Sequence, residues 1–163
     1  MVVVTGHERE QVEAIVRQQG PPVEEDGSLA AASIQLVHNS GYANGMLSSV
    51  QAAVRALPLT SEAILVVLGD QPMVGPETLD HLLTAYAAAP AGLVAPYWGN
   101  RRGNPVLIDR RYFANLLALP ADAAPRVLLA RHANDLLAVP VANDAVLHDL
   151  DRPDEYTRFR PDA

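Results

Sequence analysis

Short apolar runs alternate with amphipathic stretches along the sequence, and no other feature constrains the fold as strongly. Six runs are predicted to be strands, at residues 2–5, 34–38, 64–68, 92–98, 105–108 and 136–141. Six other stretches are predicted to be helices, at residues 8–19, 45–57, 76–89, 109–118, 125–132 and 153–159. This alternation favours an α/β fold, a Rossmann-like three-layer α/β/α sandwich with a mostly parallel sheet. We expect a single domain over residues 1–163, because no linker or repeat divides the chain.

The composition excludes several classes of function. The 163 residues include 12 basic and 19 acidic side chains, a net charge of −7, so the chain lacks the basic face that nucleic acids and anionic membranes require. It has no cysteine, which excludes disulfides and thiolate metal sites. It has neither an apolar run of membrane-spanning length nor the pattern of a signal peptide. We therefore expect a cytoplasmic protein that binds neither nucleic acid nor membrane.

The stretch ILVVLGDQP at residues 64–72 poses the first functional question, because an apolar strand runs directly into Gly69 and Asp70. Ligands of parallel sheets bind beyond the carboxyl ends of the strands, where Asp70 is expected to lie. A carboxylate there suits Mg²⁺, and Gly69 lets another group approach the backbone. The alternative is an ordinary turn, since aspartate favours turns.

A second pair of carboxylates lies near the end of the chain, in VLHDLDRPDEY at residues 146–156. Asp149 and Asp151 are two positions apart, so in an extended chain they point to the same face. The residues that follow are typical of the first turn of a helix. Asp151 is therefore interpreted either as a helix cap or as a metal ligand, and the two roles are compatible.

Two loops combine glycines with polar side chains, as ligand-binding segments often do. NSGYANGMLSSV at residues 39–50 leads into a helix whose first turn exposes backbone N–H groups to an anion or a base edge. It lacks the GK[ST] of a P-loop. NRRGNPVLI at residues 100–108 contains Gly103, which permits unusual backbone angles, and Asn104, which both donates and accepts hydrogen bonds. The alternative for each is a plain turn with solvated side chains.

Together these stretches resemble the MobA-like NTP transferases, in particular the branch of molybdenum cofactor cytidylyltransferases. The matching motifs occur in order over nearly the whole chain, as VVVTGHE at 2–8, NSGYANGMLSSV at 39–50, LGDQP at 68–72, RGNPVLI at 102–108 and HDLDRPDEY at 148–156. The resemblance implies the fold of nucleotide-diphospho-sugar transferases. It also implies transfer of CMP from CTP to a molybdopterin cofactor, with release of pyrophosphate.

The resemblance further implies a role for each motif. The catalytic Mg²⁺ would be held by Asp70 and Asp151, with Asp149 as the substitute for Asp151. The nucleotide would be bound by Asn39, Gly45, Ser49, Gly69 and Asp70. The acceptor would be bound by Gly103, Asn104 and Pro105. The implied partners are CTP or GTP, a molybdopterin-type cofactor and a molybdoenzyme that receives the product.

The sequence departs from the family pattern at two places. Arg152 stands where the family commonly has a small hydroxyl residue. The larger departure is at the front, where the chain opens on the family's second strand and lacks the first strand and the glycine-rich, cationic phosphate-binding loop. Without that strand, strands 2–5 and 64–68 would each present an unpaired edge, which is costly when buried and favours a homo-oligomer.

Three explanations of this departure stay open. The first is that the chain is a fragment or has a misassigned start. The second is that a rearranged sheet or a partner chain fills the gap. The third is that the protein binds nucleotide or cofactor without catalysis. We expect the isolated chain to be slow or inactive as a transferase, since the triphosphate lacks its main cationic partners. A guanylyltransferase of the same family is a further alternative, because the missing front would help to select the base.

Overall fold

The computed structural model describes residues 1–24, 33–120, 122–152 and 155–157. Its strands are β1 (Val2–Thr5), β2 (Gln35–His38), β3 (Ala63–Val66), β4 (Leu93–Trp98), β5 (Arg101–Arg102), β6 (Val106–Asp109) and β7 (Leu136–Pro140). Its α-helices are α1 (Arg9–Gln19), α2 (Met46–Ala56), α3 (Pro76–Ala88), α4 (Phe113–Leu117) and α5 (Arg126–Arg131). The chain forms two compact units, a first unit of Met1–Glu62 with Arg110–His132 and a second unit of Ala63–Asp109 with Ala133–Ala163.

In the first unit, β1 and β2 run parallel, with Val2 opposite Gln35. Helix α2 packs against both strands. It buries one apolar face at helical spacing, formed by Leu47, Val50 and Val54. Burial of this face holds α2 against the two strands, whereas Met46, at the start of the helix, is 50% exposed.

A buried glutamine links α2 to α4 in the same unit. Gln51 is 8% exposed, and its Nε2 donates to the carbonyl oxygens of Leu116 at 3.0 Å and Leu119 at 3.3 Å. The last carbonyls of a helix have no partner within the helix, so this side chain pairs groups at the end of α4 that are shielded from water.

The second unit contains a five-stranded mixed sheet. The strand order is β3-β6-β4-β5, and β7 pairs with β4. Helix α3 covers this sheet, and the core between them is formed by Leu82, Val94, Leu107 and Val139. All four side chains are nearly inaccessible to water, so burial of apolar surface holds this sheet and helix together.

The prediction of a mostly parallel sheet is wrong. Strand β6 lies between β3 and β4 and runs antiparallel to both, and β5 is antiparallel to β4. The parallel pairs are β1 with β2 and β4 with β7. The physical reason is the connection of residues 99–105 between β4 and β6, which is too short for the crossover that a parallel pair requires. Strands β3, β4 and β7 nevertheless share one direction, as these pairings require.

Most other predicted elements are present, with their ends shifted by one or two residues. The predicted helix at 109–118 is instead a 3₁₀ turn, Arg110–Tyr112, followed by the short α4. The predicted helix at 153–159 lies mostly outside the described residues. The part of it that is described, residues 155–157, is helical. No helix in the described part of the chain is long and apolar enough to cross a bilayer. The single domain over residues 1–163 stays a prediction.

Two apolar strands have an edge without a strand partner among the described residues. Strand β3 lies at one end of the strand order in the second unit, and β1 pairs only with β2 in the first. Apart from the buried Thr5, the side chains of both strands are half-buried. These are the two strands for which the sequence predicts an unpaired edge.

Candidate functional site

The turn that carries Asp70 follows closely on the end of β3. The chain turns at Gly69 and Asp70, which are both exposed, and Gln71 N donates to Leu68 O at 3.4 Å. A Cβ atom added to Gly69 would meet no atom within 4 Å apart from its chain neighbours. The space beside this backbone is therefore open, and the Asp70 carboxylate is accessible to a ligand.

The closing segment, residues 148–152, contacts this turn within the second unit. Leu150 N donates to Asp70 O at 2.7 Å, and Gln71 Nε2 donates to Asp149 Oδ1 at 2.5 Å. Gln71 is 5% exposed, so its side chain is shielded from water. The fold thus joins two motifs whose bonded residues, Gln71 and Asp149, are 78 positions apart in the sequence.

Asp149 and Asp151 are both exposed, but they differ in their partners. The Asp149 carboxylate accepts the hydrogen bond from Gln71. The backbone N–H groups of Asp151 and Arg152 donate to Glu155 Oε2 at 3.0 and 3.1 Å, so Glu155 reaches back over the start of a helical turn. Among the residues that the structure describes, the Asp151 carboxylate has no hydrogen-bond or ion-pair partner. It is therefore available to a ligand.

The described side chains around the closing segment suit a metal site with two carboxylate ligands and no more. His148 Nε2 lies 2.9 Å from Asp144 Oδ2, and this hydrogen bond holds the pKa of the Asp144 carboxyl below its ordinary range. In the described ranges, no group of three or more His, Cys, Asp or Glu side chains is arranged to bind a metal ion. Mg²⁺ commonly takes one or two carboxylates and fills its other positions with phosphate oxygens and water. The exposed carboxylates of Asp70 and Asp151 are of the chemical type that such a site uses.

The predicted acceptor segment is packed into the second unit. Gly103 and Pro105 are buried, and Asn104 is half-buried. Gly103 N donates to Pro96 O at 2.9 Å, and Asn104 N donates to Val146 O at 3.0 Å. A Cβ atom on Gly103 would lie 2.6 Å from the Cβ of Val146, so this close approach requires glycine. Packing alone therefore accounts for Gly103, and Asn104 is the most accessible of the three predicted residues.

In the first unit, Asn39 organises the loop that precedes α2. Its side chain is buried, and its Nδ2 donates to the hydroxyls of Ser48 at 2.8 Å and Ser49 at 3.0 Å. Its Oδ1 accepts from Gly41 N at 3.0 Å. Gly45 begins α2 with φ of 95°, a conformation that favours glycine. The Asn39 amide thus serves the loop, which presents Gly45 and Ser49 at the start of α2.

An aromatic side chain on this loop was not singled out from the sequence. Tyr42 is 43% exposed, and its ring centroid lies 5.9 Å from that of His7, just after β1. A Cβ atom on Gly6 would lie 2.5 Å from the Cβ of Tyr42, so glycine at position 6 permits this approach. An exposed ring held in place in this way suits stacking on a flat ligand.

Comparison with known proteins links these features to a family. Residues 1–136 match the MobA-like NTP transferase domain. The molybdenum cofactor cytidylyltransferase of Escherichia coli (strain K12) is 27% identical over 125 residues, which are 77% of this chain and 62% of that protein. The chain therefore spans less than two thirds of the length of this relative.

Solved structures share the fold. A nucleotidyl transferase from Methanothermobacter superimposes with a TM-score of 0.74 at 23% identity, covering 98% of this chain and 70% of that one. The protein Rv0371c of Mycobacterium tuberculosis, solved in complex with manganese, has a TM-score of 0.64 at 22% identity, covering 96% and 75%. These structures confirm the nucleotidyltransferase fold. The family match confirms the resemblance carried by the motifs within residues 1–136, and the closing segment lies outside the matched residues. The chain belongs to the MobA-like NTP transferase family.

Proposed function

We propose that the protein transfers CMP from CTP to a molybdopterin cofactor, with Mg²⁺ as the metal and pyrophosphate as the leaving group. Membership of the family and similarity to a molybdenum cofactor cytidylyltransferase support this proposal. The observation that carries it is the hydrogen-bonded contact between the Asp70 turn and the closing segment, because this contact joins the two segments that bear Asp70 and Asp151. The product would pass to a molybdoenzyme in the cytoplasm.

In this reaction, a terminal phosphate oxygen of the cofactor bonds to the α-phosphorus of CTP, and the bond between that phosphorus and the pyrophosphate oxygen breaks. Such a transfer depends on alignment and on neutralisation of charge rather than on a covalent enzyme intermediate. Asp70 and Asp151 would hold Mg²⁺, which supplies positive charge to the phosphate oxygens. The chain's own contribution would be two exposed carboxylates, of which Asp70 directly follows the open backbone at Gly69.

The other predicted residues keep their proposed roles, with two refinements. Gly45 and Ser49 would contact the nucleotide, while Asn39 would act through the loop that it holds together. Asn104 would be the main polar contact for the acceptor, since Gly103 and Pro105 are buried. Self-association is also proposed, because unpaired strand edges favour it.

Binding of CTP with and without Mg²⁺ tests the proposed function. We expect the wild-type chain to bind CTP more tightly in Mg²⁺ than in EDTA. Asp70→Asn and Asp151→Asn should each remove most of this difference, because each removes a charged ligand of the metal. Asp80→Asn, which changes an exposed aspartate of α3, is the matched control and should behave as wild type. Equal binding in Mg²⁺ and EDTA by the wild type would contradict the proposal.

A second candidate is a protein that binds nucleotide or cofactor without catalysis. Pyrophosphate release on addition of cofactor to the CTP complex would support the transferase, and binding without release would support the second candidate. A preference for GTP over CTP would instead support a guanylyltransferase of the same family.

A further inference from the structure

We propose that Gln71 is a positioning residue that anchors the closing segment, and with it Asp151, against the Asp70 turn. This inference rests on the proposed function. Gln71 is 5% exposed, whereas its neighbours Asp70 and Pro72 are exposed. A polar side chain is costly to bury unless its polar atoms are paired. The bond from its Nε2 to Asp149 Oδ1, at 2.5 Å, accounts for a glutamine at this buried position.

Among the described residues, the bond from Gln71 is one of two hydrogen bonds between the closing segment and the Asp70 turn. The other runs from Leu150 N to Asp70 O at 2.7 Å and holds the backbone between the two aspartates of the segment. Asp151 directly follows this held backbone, and its own N–H donates locally to Glu155 Oε2 at 3.0 Å. The Leu150 bond joins two backbone groups, whereas the Gln71 bond comes from a side chain of the LGDQP motif.

The same contact separates the roles of Asp149 and Asp151, which the sequence leaves as alternative metal ligands. Asp149 uses one carboxylate oxygen for a short, charge-assisted hydrogen bond to Gln71. Within the described residues, the Asp151 carboxylate has no such partner. We assign anchoring to Asp149 and metal binding to Asp151.

Hydrogen exchange in the absence of metal and nucleotide tests the anchor directly. Gln71→Met keeps a buried side chain of similar size but removes the donor. We expect the amide of Leu150 to exchange about tenfold faster in this variant, because a hydrogen bond to a charged group is lost. The amide of Leu107, in the core strand β6, should keep its wild-type rate. Unchanged exchange at Leu150 in Gln71→Met would overturn the anchor.

The Mg²⁺ concentration that gives half-maximal CTP binding is the second readout. Residues that orient a metal ligand typically change metal affinity by about 10–100-fold when replaced. We expect Gln71→Met to raise this concentration about tenfold. Asp149→Asn keeps an oxygen acceptor for Gln71 and should raise it by less than about threefold. A loss in Asp149→Asn as large as that in Asp151→Asn would overturn the assignment, since it would make Asp149 a ligand.

The two proposals fail in different ways. If the wild type shows no Mg²⁺-dependent CTP binding, the proposed function fails, while exchange at Leu150 still decides whether Gln71 anchors the segment. If Asp70→Asn and Asp151→Asn lose the Mg²⁺ dependence but Gln71→Met keeps the wild-type midpoint and exchange rate, the anchor fails alone.

Discussion

Replacing Gly103 by alanine should destabilise the second unit. The new Cβ would lie 2.6 Å from the Cβ and from the Cγ2 of Val146, and closer still to the Val146 carbonyl oxygen. Carbon atoms normally pack at about 3.5–4.0 Å, and rotation of the valine side chain does not move a backbone oxygen. Relief therefore needs backbone movement, which strains the bonds from Gly103 N to Pro96 O and from Asn104 N to Val146 O.

The cost follows from these two effects. Overpacking contributes about 1–3 kcal/mol, and weakening one buried hydrogen bond adds about 1 kcal/mol. The free energy of unfolding should therefore fall by about 2–4 kcal/mol, and the melting temperature by about 2–4 °C for each kcal/mol. Urea denaturation followed by circular dichroism measures the first quantity.

Gly69→Ala is the matched control for this substitution, because its Cβ would enter open space. It should change the free energy of unfolding by less than about 0.5 kcal/mol. If Gly103→Ala is as stable as Gly69→Ala, the packing explanation for glycine at position 103 is refuted, and contact with the acceptor would have to explain it.

Two further predictions concern the first unit. Asn39→Ala should lower the free energy of unfolding by about 1–3 kcal/mol in urea, because Ser48, Ser49 and Gly41 lose a buried partner; wild-type stability would contradict the role of Asn39 in the loop. The hydrogen bond from Arg9 holds the pKa of Glu13 below its ordinary value of 4.5. The pKa of Glu13 is therefore lower in the folded state than in the unfolded state. The stabilisation is complete at pH values above the ordinary pKa of 4.5 and is lost as the pH falls below 4.5. Thermal melts should therefore show an advantage of wild type over Glu13→Gln at neutral pH that vanishes in acid, and a constant advantage would contradict this.

The motifs and most elements could be predicted from the sequence because their signals are local. The apolar runs and helical spacings are visible residue by residue, and the order of the motifs from VVVTGHE to RGNPVLI is enough to indicate the family. The direction of β6 could not be read in this way, since composition hardly differs between a buried parallel strand and a buried antiparallel one. Only the short connection from β4 carries that information.

The internal contacts of the site could not be predicted, because they join distant residues. The burial of Gln71 depends on Asp149, far along the chain, and the packing of Gly103 depends on Val146. The sequence indicates Asn39 as a nucleotide-binding residue but does not show that its amide is bonded within its own loop. Glu155 did have a local signal, since it follows Arg152 by three positions as in a capping box.

The central claim is that Asp70 and Asp151 together hold one divalent ion beside the phosphates of CTP. Crystals grown with CTP and Mn²⁺, with the metal located by its anomalous scattering, test this claim most directly. We predict a single ion bound by one carboxylate oxygen from each aspartate at about 2.1 Å, with phosphate oxygens completing the site. An ion held by other residues, or carboxylates of Asp70 and Asp151 too far apart to share one ion, would contradict it.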